Sequence, residues 1–515
     1  MEDSPADDVD LLITMLQSKG IVLWPESNQL RFQAPKGSLT TEDKDRLRAA
    51  KAAVVARLID KSYLGKTEPG LLHRAPQVEV PLAFSQHYRW RLLSLHNRPS
   101  VRSLARARLL EGAVNVQALN QALNALGRAH DALRTRILVS NSEPKQQIGA
   151  TLDLEICFHD WVNLSPAPAR TEIDSLIAQS ISLPVNLGVD PPLSATLVRI
   201  QERQYIFLLA ADHMICDALS MDILFSDLWC AYSYIAQGRT PNLPETPIQY
   251  SDYALWQAEA TPFWTAKYGH FWRDRIDLGI NGRLPRYSTA ITGAPRGWGS
   301  VPVYLDPGTR YELVAWSRRA GTTLSMSLLT AYAALLLQWT ARSEIVIQYQ
   351  TDGRSDPKLK RTVGYLASLI CLRISDPNLR LIDLLRQITE DFCLACEHGD
   401  LSYMATQIRR TDFLRNTTFN WVPERTSTQG LISQNGSHSI TQSPWPIEVG
   451  LSGIDCDHDP ELMLFDSTEG VSGGLYFPLD QFSLPTMERL AKSLMTVLQA
   501  LLHHPEWRVR QLDLT

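Results

Sequence analysis

Residues 204–224 of the chain read QYIFLLAADHMICDALSMDIL, and this stretch determines how the rest of the sequence is interpreted. The apolar run Gln204–Ala211 predicts a buried strand, and the segment Ser220–Gln237 predicts a helix with Ser220 as its N-cap. The turn between them carries one histidine, His213, and two aspartates. Because folds often place reactive groups where a strand turns into a helix, this turn is the candidate centre of the protein.

His213 is a candidate proton acceptor, because an imidazole titrates near neutral pH. Asp217 follows four residues later and is expected to fix the turn by pairing with an arginine. A single histidine after an apolar strand, however, is more often a structural residue with satisfied hydrogen bonds. The H-x-x-x-D spacing also fits a pair of metal ligands, but no further histidine or cysteine cluster supports a metal site. The residues alone therefore leave a catalytic and a structural role for His213 open.

Composition narrows the class of protein. The 515 residues predict two to four domains, and 44% apolar with 20% charged residues is ordinary for a globular protein. The formal net charge of −5 argues against a general nucleic-acid binder. The N-terminus has no secretory pattern, no apolar run is long enough to span a membrane, and the seven cysteines are scattered. We therefore expect a cytoplasmic protein that binds neither membrane nor nucleic acid.

The first 62 residues form a separate unit. Helical periodicity is predicted for Asp8–Lys19, strands for Ile21–Trp24 and Leu30–Ala34, and a second helix from Thr41 to about Ile59. The order is helix, hairpin, helix. The free edges of a hairpin can accept a strand from a partner, although a small N-terminal stabilising cap explains the pattern equally well.

The run LLITMLQSKGIVLWPESNQLRFQAPKGSL, which begins at residue 11, resembles the TubC-type β-hairpin docking domains of nonribosomal peptide synthetases. It shares their G-I-x-L-W and L-R-x-x-A-P-K-G patterns. The resemblance implies that the hairpin binds a short linear motif at the C-terminus of an upstream carrier protein. The residues implied to contact that motif are Trp24, Leu30, Arg31, Phe32 and Lys36. Arg31 and Lys36 suit an acidic partner.

After a linker at residues 63–80, strands and helices alternate in two similar halves, 81–247 and 248–515. This pattern predicts an α/β sandwich repeated once. Besides the central strand and helix, the predicted helices are 114–130, 308–320, 324–341 and 487–503, and the predicted strands are 152–159, 300–305, 345–349 and 366–374.

The larger region resembles the condensation domains of nonribosomal peptide synthetases. The family motif HHxxxDG matches DHMICDA, so its active second histidine falls on His213 and its aspartate on Asp217. Other family motifs recur in the expected order, at Ser85, Gln86 and Trp90, at His130, Leu133, Arg134 and Thr135, at Tyr250, Asp252, Tyr253, Ala254 and Trp256, and at Val363, Gly364 and Arg373. The ordered set spans nearly all of residues 81–515.

The central motif departs from the family pattern at two positions. Asp212 replaces the first histidine, and Ala218 replaces the glycine, where an added methyl is expected to reshape a tunnel locally. Asp212, Asp217 and Ser220 also spell the D-x-x-x-x-D-x-x-S pattern of the heterocyclization subfamily. Ordinary condensation remains the first expectation because His213 and the other motifs are retained.

The resemblance implies two chloramphenicol-acetyltransferase-like lobes in a V-shaped pseudo-dimer, with a tunnel between them and the motif at its middle. A carrier protein would deliver an acyl chain on its phosphopantetheine arm, and an amine or hydroxyl acceptor would attack the thioester. His213 would hydrogen-bond the attacking group, and Asp217 would be structural, paired with Arg134 or Arg373. The chain itself would bind no cofactor or metal and would act as a monomer.

These inferences predict a stand-alone acyltransferase that works in trans and forms an amide or an ester, with chain release as one expected role. Three alternatives stay open: a heterocyclization-like relative, an epimerization-like relative, and an inactive condensation-type scaffold that docks other proteins. A coenzyme A-dependent plant-type acyltransferase also carries H-x-x-x-D, but its D-F-G-W-G segment is missing from this sequence.

Overall fold

The chain divides into two units. One consists of Met1–Gly70 with Trp256–Leu278, and the other consists of Leu71–Leu255 with Gly279–Thr515. The computed structural model describes residues 9, 12–13, 15–16, 19, 21–26, 29–33, 39–55, 68–75, 77–95, 99–140, 143–162, 170–276, 284, 297–399, 416–423, 430–435, 438–445 and 459–514.

The smaller unit contains the predicted hairpin. Strand β1 (Val22–Glu26) pairs antiparallel with β2 (Gln29–Gln33), and no third strand joins this sheet among the described residues. Helix α1 (Thr41–Ala49) begins with a capping box, in which the Thr40 hydroxyl accepts from the Asp43 backbone N–H and the Asp43 carboxylate accepts from that of Thr40. The buried core of this unit is Leu12, Ile13, Leu16, Ile21, Leu23, Leu47 and Val54.

The order of elements predicted for this unit is confirmed where the structure describes it. The hairpin strands are shifted by one to two residues from their predicted bounds, and the second helix begins at Thr41 as expected. Residues 9, 12, 13, 15 and 16 are helical, whereas the rest of the predicted first helix and the end of the second lie outside the described residues.

The first half of the larger unit is built on a six-stranded sheet. Its strands are β5 (Leu104–Glu111), β8 (Cys157–Asp160), β10 (Leu193–Gln201), β11 (Gln204–Ala211), β16 (Gly430–Asn435) and β17 (His438–Trp445), in the spatial order β16-β17-β5-β11-β10-β8. The central strand β11 pairs antiparallel with β5 on one side and with β10 on the other. Seven of the eight residues of β11 are buried, because helices cover the apolar run.

The second half is built on another six-stranded sheet. Its strands are β12 (Trp298–Leu305), β13 (Glu344–Thr351), β14 (Ser368–Ser375), β15 (Thr417–Val422), β18 (Glu461–Ser467) and β19 (Gly470–Pro478), in the spatial order β12-β19-β18-β15-β13-β14. Smaller sheets contain β3 (Glu79–Pro81), β6 (Thr135–Ser140) and β7 (Glu143–Ile148), and β4 (Ser100–Val101) and β9 (Pro184–Val185).

Helices accompany both sheets. In chain order they are α2 (Phe84–Leu95), α3 (Val116–Ala129), α4 (Arg170–Ser182), α5 (Ala218–Ile235), α6 (Tyr250–Ile276), α7 (Pro307–Arg319), α8 (Leu324–Thr340), α9 (Leu381–Glu397) and α10 (Leu484–His503). Helix α8 is almost completely buried, because its apolar residues surround the whole helix rather than one face. Two similar sheet-and-helix halves confirm the predicted α/β architecture.

Two details differ from the sequence-based expectations. The strand predicted at residues 152–159 is shorter in the structure, where only β8 forms. The backbone of Leu154 and Ile156 is instead hydrogen-bonded to the side chains of Asn120 and Asn124 on α3, at 2.8–3.1 Å. That segment is therefore bound along a helix instead of pairing with a neighbouring strand. The hairpin β16–β17 comes from the second half of the sequence, yet it pairs with β5 of the first sheet, so it crosses the lobe boundary predicted near residue 247.

No single helix among the described residues is long and apolar enough to cross a membrane. Helices α7 and α8 meet that criterion only when they are taken together, and they are bent by 98° at the break between them.

Candidate active site

The turn between β11 and α5 holds the candidate residues. Helix α5 begins at Ala218, and its N-cap is Asp217, whose carboxylate accepts a hydrogen bond from the Ser220 backbone N–H at 2.8 Å. The prediction that Ser220 is the N-cap is therefore wrong. The helix starts earlier because aspartate satisfies the free N–H groups of its first turn.

The Asp217 carboxylate is buried and accepts six hydrogen bonds. Arg354 makes a bidentate contact with it, at 2.8 Å to Oδ2 and 3.0 Å to Oδ1. The other donors are the backbone N–H and hydroxyl of Ser220 and the backbone N–H groups of Leu366 and Ala367. Burial alone would raise the pKa of Asp217, but the Arg354 charge and these hydrogen bonds outweigh it and lower the pKa. Asp217 is therefore a fixed carboxylate anchor.

The expectation that Asp217 pairs with an arginine is confirmed, but both candidate arginines are wrong. Arg134 donates to the backbone oxygens of Gly127 and Gly149, and Arg373 forms a half-exposed ion pair with Glu344. Arg354 lies in the loop between β13 and β14, ten residues before Gly364. Sequence reasoning missed it because it considered only arginines inside the recognised motifs.

Ser220 connects the same turn to the loop that follows Arg354. Its hydroxyl accepts from the Gly364 backbone N–H and from Arg354, each at 3.0 Å. Gly364 is required here, because a Cβ at this position would lie 2.0 Å from the ring of Tyr250. The Tyr250 hydroxyl donates to the Tyr365 backbone oxygen at 3.0 Å. Two of the sequence motifs, near residues 250 and 364, therefore support the turn.

Asp212, which stands where the family has its first histidine, is completely buried. Its carboxylate accepts from the Ser100 hydroxyl at 2.5 Å and from the Met214 backbone N–H at 2.8 Å. Burial raises its pKa, although Arg89, whose Nε lies 3.9 Å from Oδ1, opposes that effect. Asp212 thus holds the backbone on either side of His213. Ser100 also borders a cavity of about 480 Å³.

His213 differs from both aspartates, because its ring is only half-buried and makes few polar contacts. Its Nδ1 atom is buried and has no hydrogen-bond partner among the described residues. The ring lies 4.5 Å from the ring of Tyr365, measured between centroids. Burial, assisted by the Arg89 charge, lowers the pKa of His213 to about 4. The imidazole is therefore neutral near pH 7.

Residues of the remaining motifs support the turn and helix α5 through hydrogen bonds. Gln86 donates to the Met214 backbone oxygen at 2.8 Å, and Ser85 donates to that of Ala367 at 2.7 Å. His130 is paired with the buried Asp227, 2.9 Å away, which also binds Arg361. Ala218 is the first residue of α5, and its backbone oxygen accepts from Arg106. Its effect on a tunnel stays a prediction.

Four of the five residues predicted to bind a docking partner, Trp24, Leu30, Arg31 and Phe32, lie on the hairpin of the smaller unit. Phe32 on β2 is 48% exposed and Leu30 is half-buried, so β2 offers apolar surface to a partner. The side chains of Trp24 and Arg31, and all of Lys36, lie outside the described residues. Their docking roles stay predictions.

The arrangement combines a rigid turn with one neutral imidazole. A neutral imidazole nitrogen can accept a proton or hydrogen bond from an amine or hydroxyl that attacks a carbonyl. Among the described residues, no group of three or more His, Cys, Asp or Glu side chains is placed to hold a metal ion. The chemistry that these side chains themselves support is proton transfer or orientation at His213.

Comparison with known proteins identifies the family. Residues 76–515 match the family described as Condensation domain, and residues 9–58 match the TubC N-terminal docking domain. Phosphinothricin tripeptide synthetase PhsC of Streptomyces viridochromogenes is 27% identical over 84% of the chain, and gramicidin S synthase 2 of Brevibacillus brevis is 24% identical over 85% of it. The chain spans only 40% and 10% of the lengths of these two relatives.

Solved structures share the fold. The X-domain from teicoplanin biosynthesis is 22% identical, with a TM-score of 0.74 over 86% of this chain and 100% of that one. A structure described as the basis for condensation domain-mediated chain release from the enacyloxin polyketide synthase is 20% identical, with a TM-score of 0.62 over 98% of both chains. The chain therefore belongs to the condensation domain family found in nonribosomal peptide synthetases, and its first residues are a TubC N-terminal docking domain.

Proposed function

We propose that the chain is an acyltransferase that moves an acyl chain from the phosphopantetheine thioester of a carrier protein to an amine or hydroxyl acceptor. The observation that carries the proposal is His213, a neutral, half-exposed imidazole held between two immobilised aspartates. The family to which the chain belongs generally forms amides, which supports the same reaction class.

The proposed step balances without a further reactant. The acceptor nitrogen or oxygen attacks the thioester carbonyl, a C–N or C–O bond forms, and the C–S bond breaks. His213 Nε2 hydrogen-bonds the acceptor and takes its proton, which then passes to the leaving thiolate. Because a thioester is already activated, holding donor and acceptor in line supplies much of the remaining rate enhancement.

The docking domain supports a carrier protein as the donor partner. A sheet that has only two strands among the described residues can add a short strand from such a partner, and the exposed Phe32 provides an apolar contact. We further propose that the chain acts in trans in the cytoplasm and releases a finished chain. The likeness to the enacyloxin structure, whose description names chain release, supports this role.

The alternative is a scaffold that docks other proteins without transferring an acyl group. The observation in its favour is Asp212, which replaces a histidine of the family motif. The X-domain from teicoplanin biosynthesis, which shares the fold, has been solved in complex with OxyB. Heterocyclization- and epimerization-like chemistry would both give products with other masses than those of acyl transfer.

Intact-protein mass spectrometry tests the proposal. Acyl-loaded carrier proteins and a synthetic acyl-pantetheine thioester would each be mixed with the protein and a panel of amines and alcohols. The wild type is expected to unload the donor into an acceptor adduct, and His213→Ala is expected to slow this by about 10²–10⁴-fold. His503→Ala, at an exposed histidine of α10, is the matched control and should keep full activity.

The outcome separates the candidates. A donor that docks and is never unloaded supports the scaffold. Equal activity in His213→Ala would remove His213 from the reaction. An adduct with an amine would identify the bond formed as an amide, and an adduct with an alcohol would identify it as an ester.

A further inference from the structure

Tyr365 lies in a short backbone segment that is bound on both sides to the turn between β11 and α5. The N–H of the preceding residue donates to the Ser220 hydroxyl at 3.0 Å, and the N–H groups of the two following residues each donate to Asp217 Oδ2 at 3.1 Å. The carbonyl oxygen of Tyr365 accepts from the Tyr250 hydroxyl at 3.0 Å. These hydrogen bonds to buried side chains fix the backbone from which the Tyr365 ring extends.

The ring of Tyr365 packs against the imidazole of His213. The two ring centroids are 4.5 Å apart, and the ring planes are inclined by 48°. Aromatic pairs attract one another at centroid distances of about 4.5–7 Å, so this pair lies at the close end of that range. Both residues are half-buried. The contact joins the loop before β14 to the turn after β11, and it therefore connects the two sheet-and-helix halves at the candidate site.

The imidazole of His213 lacks the hydrogen bond that commonly orients a histidine ring. A neutral histidine is usually held through one ring nitrogen, whose partner also decides which nitrogen carries the proton. In His213 the Nδ1 atom is buried and has no such partner among the described residues. Because the outer torsion of a histidine side chain has only a broad preference, packing must restrict it. The Tyr365 ring provides packing of this kind.

We propose that Tyr365 is a positioning residue, whose ring holds the His213 imidazole in the orientation that accepts a hydrogen bond from the attacking group. The inference rests on the proposed function and adds to it the residue through which the buried anchor acts on His213. Asp217, Ser220 and Tyr250 hold the backbone of Tyr365, and the Tyr365 ring holds the imidazole. The role belongs to the ring and does not require the tyrosine hydroxyl.

Nuclear magnetic resonance of the whole chain, with isotope-labelled histidine side chains, tests the contact without any transfer reaction. In the wild type, the Tyr365 ring current should shift the His213 ring protons. Tyr365→Leu should abolish that shift. It should also raise the His213 pKa from about 4, because the ring contributes to the burial that lowers it. The charges of Arg89 and Asp217, which also act on this pKa, are unchanged in the variant.

Transfer kinetics test the positioning role. Tyr365→Leu should lower kcat by up to about 10²-fold and leave the KM of the acceptor nearly unchanged, because misplacing a reacting group by about 1 Å has an effect of this size. Tyr365→Phe keeps the ring and loses a hydroxyl that forms no hydrogen bond with a described residue. It should restore the wild-type resonances and most of the rate. Tyr311→Leu, at an exposed tyrosine of α7, is the matched control and should change neither.

A second variant tests the path from the anchor to His213. Tyr250→Phe keeps the Tyr250 ring but removes the hydrogen bond to the Tyr365 carbonyl oxygen. It should change the His213 resonances and kcat in the same direction as Tyr365→Leu, by a smaller amount. In the double variant it should add little to the effect of Tyr365→Leu, because residues that act through one contact are not additive. If Tyr365→Leu does not fold, Tyr250→Phe provides the comparison.

The two measurements keep this inference distinguishable from the proposed function. His213 resonances that do not change in Tyr365→Leu would overturn the ring contact. Changed resonances with an unchanged kcat, or a Tyr365→Phe variant as slow as Tyr365→Leu, would overturn positioning by the ring. A wild type that transfers no acyl group to any acceptor would overturn the proposed function, and the resonances would still decide whether Tyr365 holds the imidazole.

Discussion

Asp217 and His213 lie four residues apart in one turn, yet their surroundings are opposite. Asp217 accepts six hydrogen bonds, one pair from a buried arginine, and cannot change partner without cost. His213 has a buried nitrogen without a partner among the described residues and a lowered pKa. This contrast shows that the motif combines a structural anchor with one side chain that is left available for chemistry.

Arg354→Met should have the largest effect on stability. It leaves the Asp217 carboxylate buried without its counter-charge, which typically costs about 3–5 kcal/mol of the free energy of unfolding. Urea denaturation followed by circular dichroism measures it. Arg373→Met breaks an exposed pair with Glu344 and is the matched control, with an expected cost of about 0–1 kcal/mol. Equal costs would contradict the assignment of Arg354 as the anchor.

Ser100→Ala should have an intermediate effect. It removes the hydrogen bond to the buried Asp212 and leaves one carboxyl oxygen unsatisfied, at a cost of about 1–3 kcal/mol. The same denaturation experiment applies, with Ser175→Ala on an exposed position of α4 as the control. A cost no larger than that of the control would mean that Asp212 does not depend on Ser100.

Arg89→Met should act on His213 as well as weaken the support of the buried Asp212, whose carboxylate lies 3.9 Å from the Arg89 Nε. The Arg89 charge helps to lower the pKa of His213, so its removal should raise that pKa toward its ordinary value. The transfer rate measured against pH would report the change as a fall in rate that begins at higher pH than in the wild type. An identical profile would show that burial alone sets the pKa.

The pH dependence of the wild type should be small. Because the pKa of His213 lies at about 4, the imidazole stays neutral and the transfer rate to an alcohol acceptor should be nearly constant from about pH 8 to about pH 5.5. An ordinary histidine with a pKa of about 6.5 would be only about a tenth neutral at pH 5.5. An alcohol is the right acceptor because its own titration does not enter. A steep fall over this interval would contradict a neutral imidazole at His213.

The sequence was sufficient for the architecture and for the position of His213. The apolar run Gln204–Ala211 predicted the strand before the turn, the pattern after it predicted the helix, and Asp217 was expected to pair with an arginine. The sequence did not identify Arg354 as the partner of Asp217. The two residues are 137 positions apart, so their contact depends on the folded chain rather than on local spacing.

The ionisation of His213 can be followed by nuclear magnetic resonance of ¹⁵N-labelled histidine side chains between about pH 8 and about pH 4.5, and it bears on the proposed chemistry without an intermediate step. His213→Ala assigns the signal by its disappearance. We expect a ring that stays neutral across most of this range and begins to protonate only near the acidic end, because burial and Arg89 lower its pKa to about 4. A ring that is half-protonated at about pH 6.5 or above, as in an ordinary histidine, would contradict this expectation, and His213 would then be a cation rather than the proton acceptor of this site.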